Sequence, residues 1–179
     1  MPITTPPDRV ELYDNDPDHF LHVIDYLFKP AIEQAGFEIV KPAFNNSEVI
    51  QGEIIRHLET ADLVLCDISG WNANVFFELG IRVALDKPVA MVRDTQTPTI
   101  PFDNNPRAHH QYDARMTPWC VEAEIPRLRV VLEAAGQQEQ NALWRYFGIT
   151  QRAKESIPGD ATQANLIYLA PRFGASNRR

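Results

Sequence analysis

The chain has 179 residues, 44% hydrophobic and 23% charged, a composition that excludes disorder throughout and fits a single globular domain. Acidic residues outnumber basic ones by 24 to 17, and the formal net charge of −7 argues against binding to a nucleic-acid duplex, which requires neutralised phosphates. No apolar run reaches the roughly 18 residues of a membrane span, and the first residues resemble no secretory signal. We therefore predict a cytoplasmic protein without a membrane partner.

The chain is predicted to consist of an α/β domain over residues 1–149 and a polar tail over residues 150–179. The two cysteines, Cys66 and Cys120, lack the paired spacing of a zinc site. The neighbouring His109 and His110 lie in a proline-rich connection with no third ligand nearby. We therefore predict neither a metal nor a resident cofactor.

The first half of the chain alternates helical and extended patterns. Apolar residues of helical period over 18–35 predict a helix that is kinked at Pro30 and followed by Gly36. A short strand is predicted over 37–41, then a helix whose N-terminal cap lies among Asn45, Asn46 and Ser47. The run ADLVLCDI at 61–68 is apolar enough for a parallel strand that is covered on both faces.

The second half continues the alternation. The patterns predict a helix over 74–86, a strand over 89–93 and a helix from Val121 to Gly136, with an extended HQY segment in the long connection at 94–118. Such alternation indicates a parallel sheet with right-handed crossovers. The expected first strand is missing, so we interpret Met1-Pro2-Ile3 as the end of a truncated strand.

A polar loop and the helix after it are the best candidates for a functional site. Ligands of open parallel sheets bind beyond the carboxyl ends of the strands, which directs attention to the segment after the strand at 61–68. Phosphate-loop, dinucleotide-binding, zinc-protease and serine-hydrolase motifs are absent from the sequence. What remains is carboxylate chemistry by Asp67 and Glu78, since a carboxylate can attack or stabilise C1′ of a sugar as an N-glycosidic bond breaks.

Structural interpretations of the same residues remain open. Glu78 and Arg82 have the i,i+4 spacing of an ordinary surface ion pair. Asn72 or Asn74 can cap the helix, and Trp71 can serve as a packing lid instead of stacking on a base.

The segment over residues 61–92 resembles bacterial TIR-like proteins related to nucleoside 2-deoxyribosyltransferases. The matching residues are Ala61-Asp62, Asp67-Ile68-Ser69-Gly70, Asn72, Asn74-Val75, Glu78-Leu79-Gly80 and Lys87-Pro88-Val89. The resemblance extends thinly over residues 1–115. It implies a flavodoxin-like three-layer α/β domain with a parallel sheet, followed by C-terminal helices.

The resemblance also implies a role for each matching residue. Glu78 matches the carboxylate that acts as nucleophile or stabilises the oxocarbenium ion. Asp67 matches an acid that holds the substrate, and the remaining pocket residues are Ser69, Gly70, Trp71, Asn72, Asn74 and Phe77. TIR-type relatives cleave NAD⁺ at its nicotinamide–ribose bond, and the transferases exchange bases on deoxynucleosides, so NAD⁺ enters as a substrate.

Two features depart from the family pattern. Ala73 stands where proline is common, and Phe77 stands where tyrosine is common, which removes a hydroxyl that could hold deoxyribose. We therefore expect an N-glycosidase of a nucleotide or nucleoside, and a homo-oligomer is compatible with the resemblance. The alternatives are a nucleotide-sensing module without turnover and a TIR-like protein-interaction module.

Overall fold

The computed structural model describes residues 4–40, 47–98 and 109–138, with backbone only for 47–51. Its first helix has three consecutive parts, α1 (His19–Val23), a π-helical turn (Ile24–Phe28) and α2 (Lys29–Gln34). The other elements are α3 (Ser47–Thr60), β1 (Val64–Asp67), α4 (Ala73–Ala84), β2 (Val89–Asp94), β3 (His110–Tyr112) and α5 (Pro118–Gly136). Short 3₁₀ turns span Val10–Tyr13 and Ser69–Trp71.

The strands form a three-stranded parallel sheet in the order β1-β2-β3. Val64 lies opposite Val89, and Val92 lies opposite His110. Because all three strands run in one direction, their carboxyl ends meet at one edge, where the last residues are Asp67, Asp94 and Tyr112. This mixed α/β architecture is consistent with the flavodoxin-like arrangement expected from the sequence.

Both faces of the sheet are covered by helices. Successive side chains of β2 point to opposite sides, so this strand contributes to the packing on each face. Ala90 and Val92 pack with the first helix and α5, in a cluster that includes Leu27 and Leu128. On the other face, Val89 joins a second cluster with α4, whose buried members are Cys66, Ile68 and Val75. Helices therefore flank the sheet on both sides, as the unbroken apolar runs predicted.

The strand predicted over 37–41 is wrong for its described part, since residues 37–40 form no strand. Gly36 has φ +81°, and the Phe37 N–H donates to the Ile32 carbonyl, which is the six-to-one bond of a Schellman motif. The Phe37 ring then lies against α5 at Gly136. The Phe37 N–H is thus used in the hydrogen bond that ends the helix and is not available to pair with a neighbouring strand.

The predicted kink at Pro30 takes the form of the π-helical turn immediately before it. Proline lacks the N–H that would bond to the carbonyl four residues earlier, at Tyr26, so the regular helical pattern is interrupted there. The predictions for Met1–Ile3, Asn45, Asn46 and the tail at 150–179 lie outside the described residues. Among the helices that are described, none combines the length and apolarity needed to cross a membrane.

Candidate functional site

Asp67, the predicted acid at the end of β1, is fully buried beneath the loop that follows it. The side chain is only 1% exposed. Its Oδ1 accepts a hydrogen bond from the Ser69 N–H at 2.9 Å, and its Oδ2 accepts one from the Tyr112 hydroxyl at 2.9 Å. Burial raises the pKa of Asp67, and these hydrogen bonds oppose the rise only in part.

The hydrogen bonds continue from Ser69 to the end of β2. The buried Ser69 Oγ accepts from the Asp94 N–H at 2.8 Å and lies 3.3 Å from the Tyr112 hydroxyl. The Asp94 carboxylate accepts from the Tyr13 hydroxyl at 2.7 Å and from the Thr97 N–H at 2.7 Å. We call the six residues joined by these hydrogen bonds the strand-end network: Asp67, Ser69, Tyr112, Asp94, Tyr13 and Thr97.

The strand-end network contains two buried carboxylates, Asp67 and Asp94, at 1% and 0% exposure. In the described ranges neither of them forms an ion pair, so hydroxyl and amide donors alone satisfy them. Burial raises the pKa of both Tyr13 and Tyr112, with the nearby carboxylates acting in the same direction. Both tyrosines therefore remain protonated donors at neutral pH.

The loop after β1 has a constrained backbone at the predicted pocket residues. Gly70 has φ +67°, a conformation that favours glycine, and its N–H donates to the Thr97 Oγ1 at 2.9 Å. Trp71 follows with φ +54°, which is uncommon for a bulky residue, and its side chain is 41% exposed. The turn thus holds the indole at the surface beside the beginning of α4.

Asn72 caps α4, as one of the structural interpretations anticipated. Its Oδ1 accepts from the N–H groups of Asn74 at 2.9 Å and Val75 at 3.4 Å. The Asn74 side chain is exposed one turn before Glu78. Phe77, next to Glu78, is 67% exposed, so the predicted stacking residues Trp71 and Phe77 both present their rings to solvent.

Glu78 is half-buried on α4, and burial raises the pKa of its carboxyl. The interpretation of Glu78 and Arg82 as a surface ion pair is wrong. Arg82 is fully buried, and its guanidinium donates to four backbone carbonyls, those of Leu58, Ala61, Asp62 and Pro88, at 2.6 to 3.0 Å. Within the described part of the chain, Glu78 has no hydrogen-bond or ion-pair partner.

The end of β1 packs against α4, the helix that carries Glu78. Cys66 and Ile68 belong to one buried cluster with Val75, and Leu79, next to Glu78, packs against that cluster. Burial raises the pKa of the Cys66 thiol to about 12, and the charges of Asp67 and Glu78 act in the same direction.

Sequence reasoning missed four members of the site, Tyr13, Asp94, Thr97 and Tyr112. Asp94 directly follows the predicted strand at 89–93, and Tyr112 ends the predicted extended segment, so their positions after strands were a usable signal. Tyr13 and Thr97 carried no such signal. His110, considered as a metal ligand, instead pairs through Nε2 with Glu124 at 2.5 Å.

The described residues contain no group of three or more histidine, cysteine or acidic side chains that could hold a metal ion. No model of a known protein family matches the chain, and no curated protein is significantly similar to it. The geometry of the site and the residues of the 61–92 segment are therefore the basis for a functional proposal.

Proposed function

We propose that this protein breaks the N-glycosidic bond of a nucleotide or nucleoside, with the Glu78 carboxylate acting at C1′. The observation that carries the proposal is the state of Glu78, which is half-buried and unpartnered within the described ranges. The arginine at helical spacing from it donates to four backbone carbonyls instead. A carboxylate without a partner among the described residues, next to a loop at the carboxyl edge of a parallel sheet, is available to a ligand.

In the proposed reaction, a Glu78 carboxylate oxygen bonds to C1′ as the bond from C1′ to the base nitrogen breaks, which forms a glycosyl ester. The base leaves with the bonding electron pair and takes a proton from water where it leaves as an anion; nicotinamide leaves NAD⁺ as a neutral molecule. Water then attacks C1′ and loses a proton to solvent while the ester bond breaks, which releases the sugar and returns Glu78 to its carboxylate form. A second base in place of water gives transfer instead of hydrolysis.

The strand-end network supports this chemistry by holding the loop. Both oxygens of Asp67 already accept hydrogen bonds from within the network, so we assign Asp67 a positioning role that acts through Ser69 and Tyr112. Asn74 and Phe77 are exposed on the same helix as Glu78, and Trp71 is exposed in the turn before it; we assign them to the sugar and the base. Cytoplasmic NAD⁺, nucleosides and deoxynucleosides are the candidate substrates.

The test is chromatographic detection of a free base after incubation with NAD⁺, ribonucleosides, deoxynucleosides and their monophosphates. We expect release from at least one of them and a fall of about a hundredfold or more in Glu78→Gln, the usual effect of losing a reacting carboxylate. Glu38→Gln makes the same chemical change at an exposed position outside the site and should leave the rate unchanged.

Equal rates in Glu78→Gln and the unmodified protein would contradict the proposal. Nucleotide binding that survives Glu78→Gln, with no base released from any substrate, would identify the sensing module. Association that depends on protein concentration and not on nucleotides would identify the interaction module.

A further inference from the structure

A second concave region lies apart from Glu78, between the segment that leads into α1 and the segment that joins β3 to α5. This cleft has a volume of about 550 Å³. Its walls include the rings of Tyr13 and Tyr26 and the apolar side chains of Met116, Pro118 and Val121. Glu78 and the loop Ser69–Trp71 do not line it. The proposed chemistry at Glu78 therefore leaves the cleft unexplained.

His19 is the polar group in the cleft that most needs a partner. It is 4% exposed, and its ring stacks on Tyr13 with the centroids 4.3 Å apart. Its Nε2 is buried and has no hydrogen-bond partner among the described residues. Because an unsatisfied buried nitrogen is costly, a rotation of the His19 ring that brings Nε2 to the cleft surface would let a ligand supply the hydrogen bond that the folded chain lacks. Burial lowers the pKa of His19, so the ring is neutral at neutral pH and Nε2 accepts in one tautomer.

The charges that face the cleft are mainly negative. Asp14 is exposed at its rim, and Asp16 accepts from the His22 ring at 2.8 Å while one lone pair on each of its oxygens remains available. The cation in the lining, Arg115, is bound by the Asp113 carboxylate, with its Nε 3.0 Å from Oδ1. The cleft thus favours a positive ligand over an anion.

The backbone around the cleft is held in an unusual conformation. Asp14 and Met116, which lie on opposite walls, have φ of +54° and +50°. Such a conformation costs a methionine free energy, and strain of this kind concentrates where a fold shapes a binding surface. The two strained residues are therefore consistent with a built recess.

We propose that the cleft binds a small organic cation, an amidinium, guanidinium or ammonium group on a flat apolar body. The apolar body would lie against Tyr26 and Met116, where the tyrosine ring also attracts the positive charge. The cation would face the carboxylates of Asp14 and Asp16 and, once the His19 ring rotates, donate to its Nε2. This inference goes beyond the proposed function, since it involves neither Glu78 nor a glycosidic bond.

Benzamidine and benzamide form a matched pair of probes, because they have the same shape and differ in charge. Isothermal titration of the full chain with each should show benzamidine binding about tenfold more tightly, the effect of an ionic partner near two carboxylates. Equal affinities, or no heat from benzamidine at millimolar concentrations, would overturn the proposal.

Two variants assign the binding to these residues. His19→Phe removes the nitrogen and keeps the stacking on Tyr13, and we expect benzamidine binding to weaken about tenfold. Asp14→Asn keeps a residue that tolerates positive φ and should weaken binding about fivefold. His57→Phe on α3 and Glu38→Gln are the matched controls outside the cleft and should bind as the unmodified protein does.

Folding of the variants is checked by urea unfolding. His19→Phe should unfold at the same or a higher urea concentration, because it removes an unsatisfied nitrogen from the interior. Unchanged benzamidine affinity in both folded variants would show that binding occurs elsewhere and would overturn the assignment. Base release plays no part in these measurements, so failure here is distinguishable from failure of the proposed function.

Discussion

The side chains of Glu78 and Arg82 show how one helical spacing is compatible with two very different arrangements. Spacing of four residues places both on one face of α4, and in isolation it favours a surface ion pair. In the fold, Arg82 is completely buried and turns to backbone carbonyls, while Glu78 is left half-buried. The sequence identified Glu78 as the candidate carboxylate. That Arg82 bonds to backbone carbonyls, and not to Glu78, follows only from the tertiary contacts.

Burial of Glu78 predicts a shifted pH dependence of base release. The carboxylate is the reactive form, so activity should fall as the pH decreases through the pKa of Glu78. Since burial raises that pKa above its ordinary value of 4.5, the acidic limb of a kcat/KM profile should lie above pH 4.5. The profile is measured with whichever substrate releases base fastest.

Glu78→Asp serves as the companion variant for this profile. It retains a carboxylate at a shorter reach, so it should keep a measurable rate and an acidic limb. An acidic limb at or below pH 4.5 in the unmodified protein, or one that is identical in Glu78→Gln, would assign the titration to another group.

At the scale of elements, Arg82 joins three parts of the chain. Its guanidinium bonds to carbonyls at the C-terminal end of α3, in the turn before β1 and at the residue before β2. The bond to the Leu58 carbonyl is buried and the other three are partly buried, so these acceptors at the ends of elements gain a partner from within the protein. The arginine therefore fixes where the helix ends relative to both strands.

Arg82→Lys tests that role. Lysine keeps the charge but lacks the planar fork of donors, so several of the four carbonyls lose their partner. We expect a loss of about 3 kcal/mol in the free energy of unfolding, measured by urea denaturation with circular dichroism. Arg56→Lys, at an exposed position on α3, should change stability by less than about 0.5 kcal/mol. If Arg82→Lys lost no more stability than Arg56→Lys, Arg82 would not be what fixes the end of α3 relative to the strands.

Periodicity predicted the helices and the two buried strands because those elements bury regular apolar stripes or runs. The predicted strand at 89–93 and helix at 74–86 correspond to β2 and α4 within a few residues. The strand at 37–41 failed for a local reason, since the Phe37 N–H closes the end of the first helix. The apolar pattern of residues 37–41 could not show that the Phe37 N–H is already bonded within the preceding helix.

At the scale of the whole molecule, the strand-end network unites residues that are far apart in sequence. Tyr13 reaches Asp94 across 81 positions, and Tyr112 reaches Asp67 across 45. Sequence alone could place Asp67 and Asp94 after strands, but their partners depend on the strand order and register. Those properties follow from the packing of all the elements, which explains why four of the six members of the network were not anticipated.

The buried charge of Asp67 should make the stability of the whole fold depend on pH. Burial raises its pKa in the folded protein, so the folded state holds a proton to a higher pH than the unfolded chain does. Its contribution to stability is therefore complete below the ordinary value of 3.8 and is lost as the pH rises through the higher folded-state pKa. Above that pKa the folded protein carries the cost of a buried carboxylate.

Asp67→Asn isolates this cost, because the amide oxygen can still accept from the Ser69 N–H while the charge is gone. We expect the variant to be more stable than the unmodified protein at pH 7 by about 1 kcal/mol, an ordinary size for the effect of one substitution, because the buried charge is removed. The advantage should shrink as the pH falls toward 3.8, in urea unfolding curves recorded at each pH. Asp8→Asn, at an exposed site, should show no such trend. A variant that is less stable at pH 7 would mean that the hydrogen bonds to the charged oxygens outweigh burial, and the network would then depend on the carboxylate itself.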